Sequence, residues 1–191
     1  MARTRPVGAL LLTHGAGSDR NQSALVAIDE AARPLPVRRM DFPYRREGRR
    51  PPDRAPKLIA SIVEEAADLC AEARIRPHRL ALGGRSMGGR MCSMAVAEGL
   101  PAAALVLVSY PLHPPGKPER LRIEHLPQLL VPCLFVHGTR DPFATPDELR
   151  AATEAIPGPV THHWIDGGRH GLERKDDEVA EVVVGWLRDL R

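Results

Sequence analysis

The sequence predicts an α/β fold: a mostly parallel, roughly six-stranded sheet with helices on both faces. The first observation behind this prediction is that short apolar runs alternate with longer amphipathic stretches along the chain. That alternation is typical of βα units, in which a helix connects each strand to the next parallel strand. The second is size, because 191 residues with 43% hydrophobic and 27% charged residues suit one domain around one core. We therefore expect residues 1–191 to form a single domain.

Six short apolar runs predict the strands, and they lie at residues 7–13, 37–41, 80–82, 103–108, 132–136 and 160–164. Five amphipathic stretches predict helices, at residues 22–33, 56–73, 87–98, 146–155 and 176–190. The second of these helices shows the pattern clearly, because Leu58, Ile62 and Leu69 recur at helical spacing. Its acidic residues Glu64 and Asp68 lie outside that apolar stripe.

Two proline-rich loops separate these elements. Residues 42–54 also contain arginine and glycine, so we expect this loop to be exposed and mobile. Residues 110–127 carry one short helical possibility around residues 119–126. Neither loop is long enough to fold as a separate lid domain, and we therefore expect any active site to be shallow and open.

Composition argues against several classes of protein. The net charge of +3 is only mildly basic, and the arginines of residues 42–54 have no interleaved aromatic residues, so we expect no nucleic-acid partner. Three widely spaced cysteines, Cys70, Cys92 and Cys133, indicate a reduced cytoplasmic protein without a disulfide framework or a zinc site. No segment approaches the length of a transmembrane helix, and the apolar run at residues 7–12 is too short for a signal peptide.

Ser86 is the most informative residue, because it stands in the sequence Gly84-Arg85-Ser86-Met87-Gly88. This pentapeptide follows a predicted strand and opens a predicted helix, which is the context of a G-x-S-x-G nucleophile elbow. In such a turn the serine backbone is strained so that the hydroxyl projects from the sheet. Side chains two positions before and after it would collide, and glycine is required at both.

Three further motifs follow predicted strands. His14-Gly15-Ala16-Gly17 follows the first strand, Asp141 follows the fifth, and His170 follows the sixth. Ligands of parallel α/β sheets gather at the carboxyl ends of the strands. Alone, His170 reads as an exposed histidine and Asp141 as a turn residue. Their joint occurrence in the order Ser…Asp…His instead favours a catalytic triad.

With these motifs, the chain resembles the α/β-hydrolase superfamily over essentially its whole length. It is most similar to small members without a cap domain: the dienelactone-hydrolase-like proteins and the hydrolase-like family named after testis-expressed protein thirty. Residues 83–90 and the run Ser109-Tyr110-Pro111-Leu112-His113-Pro114 resemble the second group. Relative to the superfamily pattern, the chain starts at what would be the third strand. The resemblance therefore implies an α/β-hydrolase fold of six strands, truncated at the N-terminus.

The resemblance and the residue types together imply a mechanism. Ser86 would be the nucleophile, His170 its base, and Asp141 the carboxylate that orients and stabilises the histidine. Backbone N–H groups of Ala16 and Met87 would form the oxyanion hole. We expect a serine hydrolase that cleaves a small-molecule ester or thioester through an acyl-enzyme without a cofactor or metal. The sequence leaves open a weakly active binding or scaffold protein, a dienelactone-hydrolase-like activity and a peptidase, and it does not specify the oligomeric state.

Other candidate residues have plainer interpretations. His162 and His163 are adjacent on a strand, so they point to opposite faces and are not expected to share a metal. We interpret Cys92 as a packing residue and His137 as a support for the turn at Asp141. Three arginines each neighbour a triad residue: Arg85, Arg140 and Arg169. They would either steer an anionic acyl substrate or lie in solvent and pair with nearby acids such as Asp166 or Glu173.

Overall fold

The structure is a computed structural model that describes residues 7–190. Residues 1–6 and 191 of the expected domain lie outside the described residues. Its strands are β1 (Ala9–Thr13), β2 (Val37–Met40), β3 (Leu80–Arg85), β4 (Ala104–Val108), β5 (Cys133–Gly138) and β6 (Val160–Ile165). Its α-helices are α1 (Ser23–Ala32), α2 (Pro43–Arg46), α3 (Ala55–Glu72), α4 (Met87–Ala97), α5 (Pro146–Thr153) and α6 (Asp176–Asp189).

The six strands form one parallel sheet in the order β2-β1-β3-β4-β5-β6, which confirms the predicted fold class. From β1 the chain crosses outward to β2, and then returns to place β3 on the other side of β1. The connections that leave the carboxyl ends of β1 and β3 therefore run in opposite directions. Such a reversal opens a crevice at this edge of the sheet, where doubly wound proteins bind their ligands.

Helices bury both faces of the sheet. On β1, Leu10 and Leu12 pack in the core beneath α1 and α6, whereas Ala9 and Leu11 pack in the core beneath α3, α4 and α5. Because side chains alternate across a strand, a strand covered on both faces needs apolar residues at every position. This requirement explains the continuous runs ALLLT and ALVLV of β1 and β4, which are buried throughout.

Two strands continue by two or more residues beyond their predicted ends. β3 extends to Arg85 and β5 to Gly138, whereas the apolar runs end at residues 82 and 136. Glycines account for the difference, since they carry no apolar signal but are required for packing. A Cβ added at Gly83 would lie 2.7 Å from the carbonyl oxygen of Val106 on the neighbouring strand. Tertiary contact, and not strand propensity, selects glycine here.

The expectation of an exposed loop at residues 42–54 is wrong at its beginning. Phe42 and Tyr44 are fully buried, and the short helix α2 starts between them. Arg45, Arg46 and Arg49 are held by ion pairs, as in the bond of Arg49 to Asp53 at 2.8 Å. This loop therefore packs against the domain and does not present a row of unpaired cations.

The helix expected around residues 119–126 is also absent from the described structure. This stretch consists of turns, a bend and residues without regular structure, and a 3-10 helix begins only at Leu126. Upstream in the same loop, Tyr110 and Leu112 are buried in the core that α4 covers. The loop is therefore anchored by its own apolar residues and lies against α4.

Candidate active site

Ser86 lies in the tight turn between β3 and α4. Its backbone has φ 51° and ψ −118°, and residues other than glycine rarely adopt such a positive φ. The Ser86 N–H donates a 2.8 Å hydrogen bond to the carbonyl of Val108, at the end of the adjacent strand. This contact fixes the strained turn at the carboxyl edge of the sheet, and Ser86 itself is partly exposed there.

The two glycines that flank Ser86 allow this turn to form. A Cβ at Gly84 would overlap the side chain and carbonyl oxygen of Thr13. A Cβ at Gly88 would lie 2.5 Å from the carbonyl oxygen of His14. The prediction that glycine is required at both positions is therefore confirmed, and the obstacle is the end of β1.

His170 lies between Ser86 and Asp141. Its Nε2 is 2.8 Å from Ser86 Oγ, and its Nδ1 is 2.8 Å from Asp141 Oδ2. A carboxylate can only accept, so Nδ1 carries the proton and Nε2 accepts the hydroxyl proton of the serine. The structure thus brings the three predicted residues into one chain of hydrogen bonds. This arrangement can move a proton from the serine to the histidine.

Asp141 is held in place by a second set of contacts. Its side chain is 0% exposed, and its Oδ1 accepts a 2.9 Å hydrogen bond from the N–H of Phe143. His137 donates from Nε2 to the carbonyl of Ala144 at 3.0 Å and lies 3.5 Å from Asp141 Oδ2. Burial lowers the pKa of His137, so this ring is neutral and supports the turn, as the sequence predicts.

The loops that carry Asp141 and His170 are packed directly against each other. Arg140 N–H donates to the carbonyl of Gly168 at 2.8 Å, and Thr139 N–H donates to the carbonyl of Ile165 at 3.0 Å. A Cβ at Gly138 would overlap the Gly168 carbonyl. The close approach of these two glycine-containing turns fixes the distance between the carboxylate and the imidazole.

Sequence reasoning missed two contacts of His170. The Phe143 ring stacks on the imidazole, with centroids 4.0 Å apart and planes inclined by 28°. Arg85 donates from Nη2 to the backbone carbonyl of His170 at 2.5 Å. The sequence signals that they lie near the site only because Arg85 precedes Ser86 and Phe143 follows Asp141 by two residues. Both contacts with His170 join segments that are distant in the chain, so no local pattern predicts them.

The three arginines predicted to share the rim differ in environment. Arg85 is partly buried, and that burial lowers the pKa of its guanidinium. Arg140 and Arg169 are exposed, and among residues 7–190 neither side chain forms an ion pair or hydrogen bond. The suggested pairing with Asp166 or Glu173 is therefore not found. Substrate steering by these two exposed charges stays a prediction.

The loop after β1 lies next to Ser86. A Cβ at Gly15 would be 3.6 Å from Ser86 Cβ, and the N–H groups of Ala16 and Met87 bond to no described residue. Buried His14 holds this loop by donating from Nδ1 to the carbonyl of Gly15 at 2.8 Å and accepting from Phe42 N–H at 3.3 Å. Burial lowers the pKa of His14, which is consistent with this neutral form.

The remaining candidates match their plainer interpretations. Cys92 is fully buried beside Thr13, and burial raises the pKa of its thiol to about 12, so it packs as a protonated side chain. His162 stacks on Trp164, whereas His163 faces Glu178 on the other side of the sheet. Within residues 7–190 no three His, Cys, Asp or Glu side chains are grouped as metal ligands. No helix in that range has the length and apolar character to cross a bilayer.

The chain is similar to known proteins both in its sequence family and in its fold. The family described as alpha/beta hydrolase domain matches residues 6–182. An alpha-beta serine hydrolase homologue from Coxiella burnetii is 16% identical with a TM-score of 0.76, covering 95% of this chain and 86% of that one. A dienelactone hydrolase from Anabaena variabilis is 20% identical with a TM-score of 0.74, covering 95% and 85%. Est1E from Butyrivibrio proteoclasticus is 16% identical with a TM-score of 0.77, covering 97% and 88%.

Proposed function

The chain belongs to the alpha/beta hydrolase domain family, and from this premise we propose that it is a serine hydrolase acting on a carboxylic ester or thioester. The observation that carries the proposal is the hydrogen-bond chain from Ser86 through His170 to Asp141, with 2.8 Å at each step. The serine stands in the strained conformation of a nucleophile elbow. The proposed substrate is a small molecule, and the proposed location is the cytoplasm, since the three cysteines are free and buried.

The proposed reaction starts with attack of Ser86 Oγ on the carbonyl carbon of the substrate. His170 Nε2 takes the hydroxyl proton as the carbon–oxygen bond forms. The imidazolium that results is stabilised by the buried carboxylate of Asp141, which keeps Nδ1 protonated and the ring oriented. Collapse of the tetrahedral intermediate breaks the bond to the leaving alcohol or thiol, which receives the proton from Nε2. Water then attacks the acyl carbon while His170 Nε2 takes its proton. The bond between Ser86 Oγ and the acyl carbon breaks, the carboxylic acid leaves, and Nε2 returns the proton to Oγ.

Negative charge develops on the carbonyl oxygen in both steps. The N–H groups of Ala16 and Met87 supply the proposed oxyanion hole, because within residues 7–190 neither has a hydrogen-bond partner. Met87 directly follows Ser86, and Ala16 directly follows Gly15, which approaches Ser86. Met87 is the first residue of α4, so the positive end of the helix dipole adds to its N–H. Removing one such donor typically lowers the rate by about 10²–10³.

Arg85 and Phe143 act as positioning residues in this proposal. Arg85 restrains the backbone of His170 through its carbonyl, and Phe143 limits the tilt of the ring by stacking on it. Both contacts leave Nε2 directed at Ser86. The Phe143 ring also covers one face of the imidazole, which limits access of water and strengthens the interaction of the ring with Asp141.

The nucleophile is tested by labelling with a fluorophosphonate probe. We expect the wild-type protein to be labelled once, and Ser86→Ala to abolish labelling because within residues 7–190 no other hydroxyl bonds to His170. Ser18→Ala is a matched control, since Ser18 is also partly exposed and follows the proposed oxyanion loop. It should be labelled at the wild-type rate.

Two outcomes would reject the proposal. Labelling of Ser86→Ala at the wild-type rate would identify another nucleophile. A folded wild-type protein that is neither labelled nor active on a panel of acyl esters and thioesters would instead favour the scaffold alternative. Peptide mapping of the labelled protein, with the probe mass on the peptide that contains Ser86, completes the test.

A further inference from the structure

A second group of polar side chains lies on α4, beyond the proposed triad. Arg90 follows Ser86 by one helical turn, and its N–H donates to the Ser86 carbonyl at 3.1 Å. Its side chain is partly exposed, yet its Nε is buried and has no hydrogen-bond partner. Among residues 7–190 the Arg90 guanidinium forms no ion pair with any acid.

The loop after β4 covers this part of α4 and adds a second arginine. Ser93 Oγ donates to the Arg90 carbonyl at 2.8 Å and accepts from His125 Nε2 at 2.8 Å. Tyr110 Oη donates to the Arg122 carbonyl at 2.9 Å and lies 3.5 Å from His125 Nε2. We call these five residues, Arg90, Ser93, Tyr110, Arg122 and His125, the Arg90–Arg122 cluster.

The cluster carries positive charge that no acid of the described residues neutralises. Within residues 7–190, the Arg122 guanidinium bonds only to the Pro111 carbonyl, at 3.2 Å. Burial, and next the charge of Arg90, lower the pKa of both Arg122 and His125, the latter to about 4. His125 is therefore neutral at neutral pH. Glu124, the acid that acts on it in the opposite direction, is exposed and forms no ion pair with either arginine.

The hydrogen bonds of Ser93, His125 and Tyr110 bring Arg90 and Arg122 into one partly buried site, and the buried Nε of Arg90 is left without a partner there. A shared anion would supply that partner and offset the like charge of the two guanidinium groups. Guanidinium is the side chain best suited to bind carboxylate or phosphate oxygens, because its N–H groups form a planar fork. We propose that the Arg90–Arg122 cluster is a binding site for an oxyanion, a carboxylate or a phosphate group.

Two sources of the anion share this oxyanion chemistry. It could be the charged end of the acyl substrate, because Arg90 lies only about 6 Å along the helix axis from Ser86. It could equally be a separate small anion that binds independently of the reaction. The first arrangement rests on the proposed hydrolase function, whereas the site itself does not.

Binding is measured first without any turnover. The full chain, as wild type and as Ser86→Ala, is titrated with inorganic phosphate at constant ionic strength while Tm is recorded. We expect a saturable rise of about 4 °C at ten times Kd in both proteins. Arg90→Met should weaken the apparent affinity at least tenfold, because it removes one of the two forks.

Arg188→Met is the control for loss of one positive charge, since Arg188 is exposed near the end of α6. It should keep the wild-type phosphate response. Arg122→Gln is the second test variant, and it answers the question if Arg90→Met does not fold. A wild-type Tm that does not saturate with phosphate, or a saturable rise that both cluster variants retain, would overturn the proposal.

A second measurement distinguishes the two sources of the anion. Esters of a dicarboxylic and a monocarboxylic acid of equal chain length are compared in kcat/KM. If the anion belongs to the substrate, the charged ester is preferred several-fold and phosphate competes with it. Arg90→Met then loses the preference, while Arg188→Met keeps it. If the anion is a separate small molecule, phosphate binds with the Kd that the Tm titration gives, and it does not compete with either ester. Failure of the hydrolase proposal would abolish turnover and leave the phosphate titration intact.

Discussion

Asp141 shows how one side chain serves both local structure and the proposed chemistry. Its Oδ1 closes the turn by accepting from Phe143 N–H, while its Oδ2 accepts from His170. The local role is the one that an Asp-Pro turn predicts on its own. The second role exists only because the sixth strand brings His170 to the same edge. Each oxygen makes a different hydrogen bond, so a substitution at Asp141 can keep the bond that closes the turn and remove the one to His170.

Asp141→Asn should lower kcat by about 10³–10⁴ and change Tm little. The amide oxygen can still accept from Phe143, but the amide nitrogen would donate toward His170 and favour the wrong tautomer. Ester hydrolysis and thermal unfolding measured on the same protein check both parts. Asp166→Asn, in the exposed neighbouring turn, should retain wild-type turnover. Unchanged turnover in Asp141→Asn would show that another acid orients His170.

His125 should make the protein sensitive to acid. Burial and the charge of Arg90 lower its pKa from 6.5 to about 4, while the nearby Glu124 acts weakly in the other direction. Between these two pH values the unfolded chain binds more protons than the folded one, so stability falls as the pH drops from about 6.5 to about 4. We expect a loss of about 1 kcal/mol by pH 5 after allowance for solvent screening of this partly exposed ring.

The comparison that checks this is urea unfolding of wild type and His125→Gln at pH 7 and pH 5. The variant should lose less stability over this interval than wild type. It should not become insensitive to pH, because burial also lowers the pKa of His14, His137 and His162. An equal loss in the two proteins would show that His125 does not contribute.

At the scale of elements, the junction of β1, β3 and α4 depends on glycine. Gly84 and Gly88 bring the strand end and the first helical turn against Thr13 and the carbonyl of His14. Gly185 in α6 is the opposite case, because a Cβ there would meet no atom within 4 Å. One amino-acid type therefore has opposite effects on stability in two elements of the same domain.

Gly84→Ala should destabilise the protein by about 3 kcal/mol, because the backbone of Thr13 must move to admit the methyl group. Gly185→Ala should stabilise it by about 0.5–1 kcal/mol, since alanine favours a helix interior and nothing obstructs it. Urea unfolding of both variants beside wild type measures the two changes. Equal effects of the two substitutions would contradict the packing described here.

At the scale of the whole molecule, each of the two tryptophans reports on one side of the sheet. Trp164 packs against the core beneath α3, α4 and α5, and Trp186 packs against the core beneath α1 and α6. The same strands contribute alternate side chains to both cores. We propose that the chain is one domain, so that neither core persists without the other.

Single-tryptophan variants test this proposal. Trp164→Phe and Trp186→Phe should each show a fluorescence midpoint in urea that coincides with the far-UV circular dichroism midpoint of the same variant. Substitution by phenylalanine keeps an aromatic ring in each core, which limits the change in stability. Separate fluorescence and dichroism midpoints in either variant would indicate that the two sides of the sheet unfold independently.

The sequence by itself determined the class of fold, the order of the six strands and the five longer helices, and the choice of candidate residues. Strands covered on both faces must be apolar at every position, so their continuous apolar runs can be recognised in the sequence alone, as in residues 104–108. Ser86 between Gly84 and Gly88 could be recognised in the sequence for a related reason. Its steric requirement lies within five consecutive residues, and strand, turn and helix follow one another in the chain.

Only the tertiary structure decided how the site is held. The 2.8 Å bonds of His170 join residues separated by 29 and 84 positions, and its contacts with Phe143 and Arg85 have no periodic signal. The burial of Phe42 and Tyr44 in a loop of polar composition was equally hidden. Local sequence limits which backbone conformations are accessible, whereas hydrogen bonds and ion pairs between distant segments depend on distances that exist only after the sheet has formed.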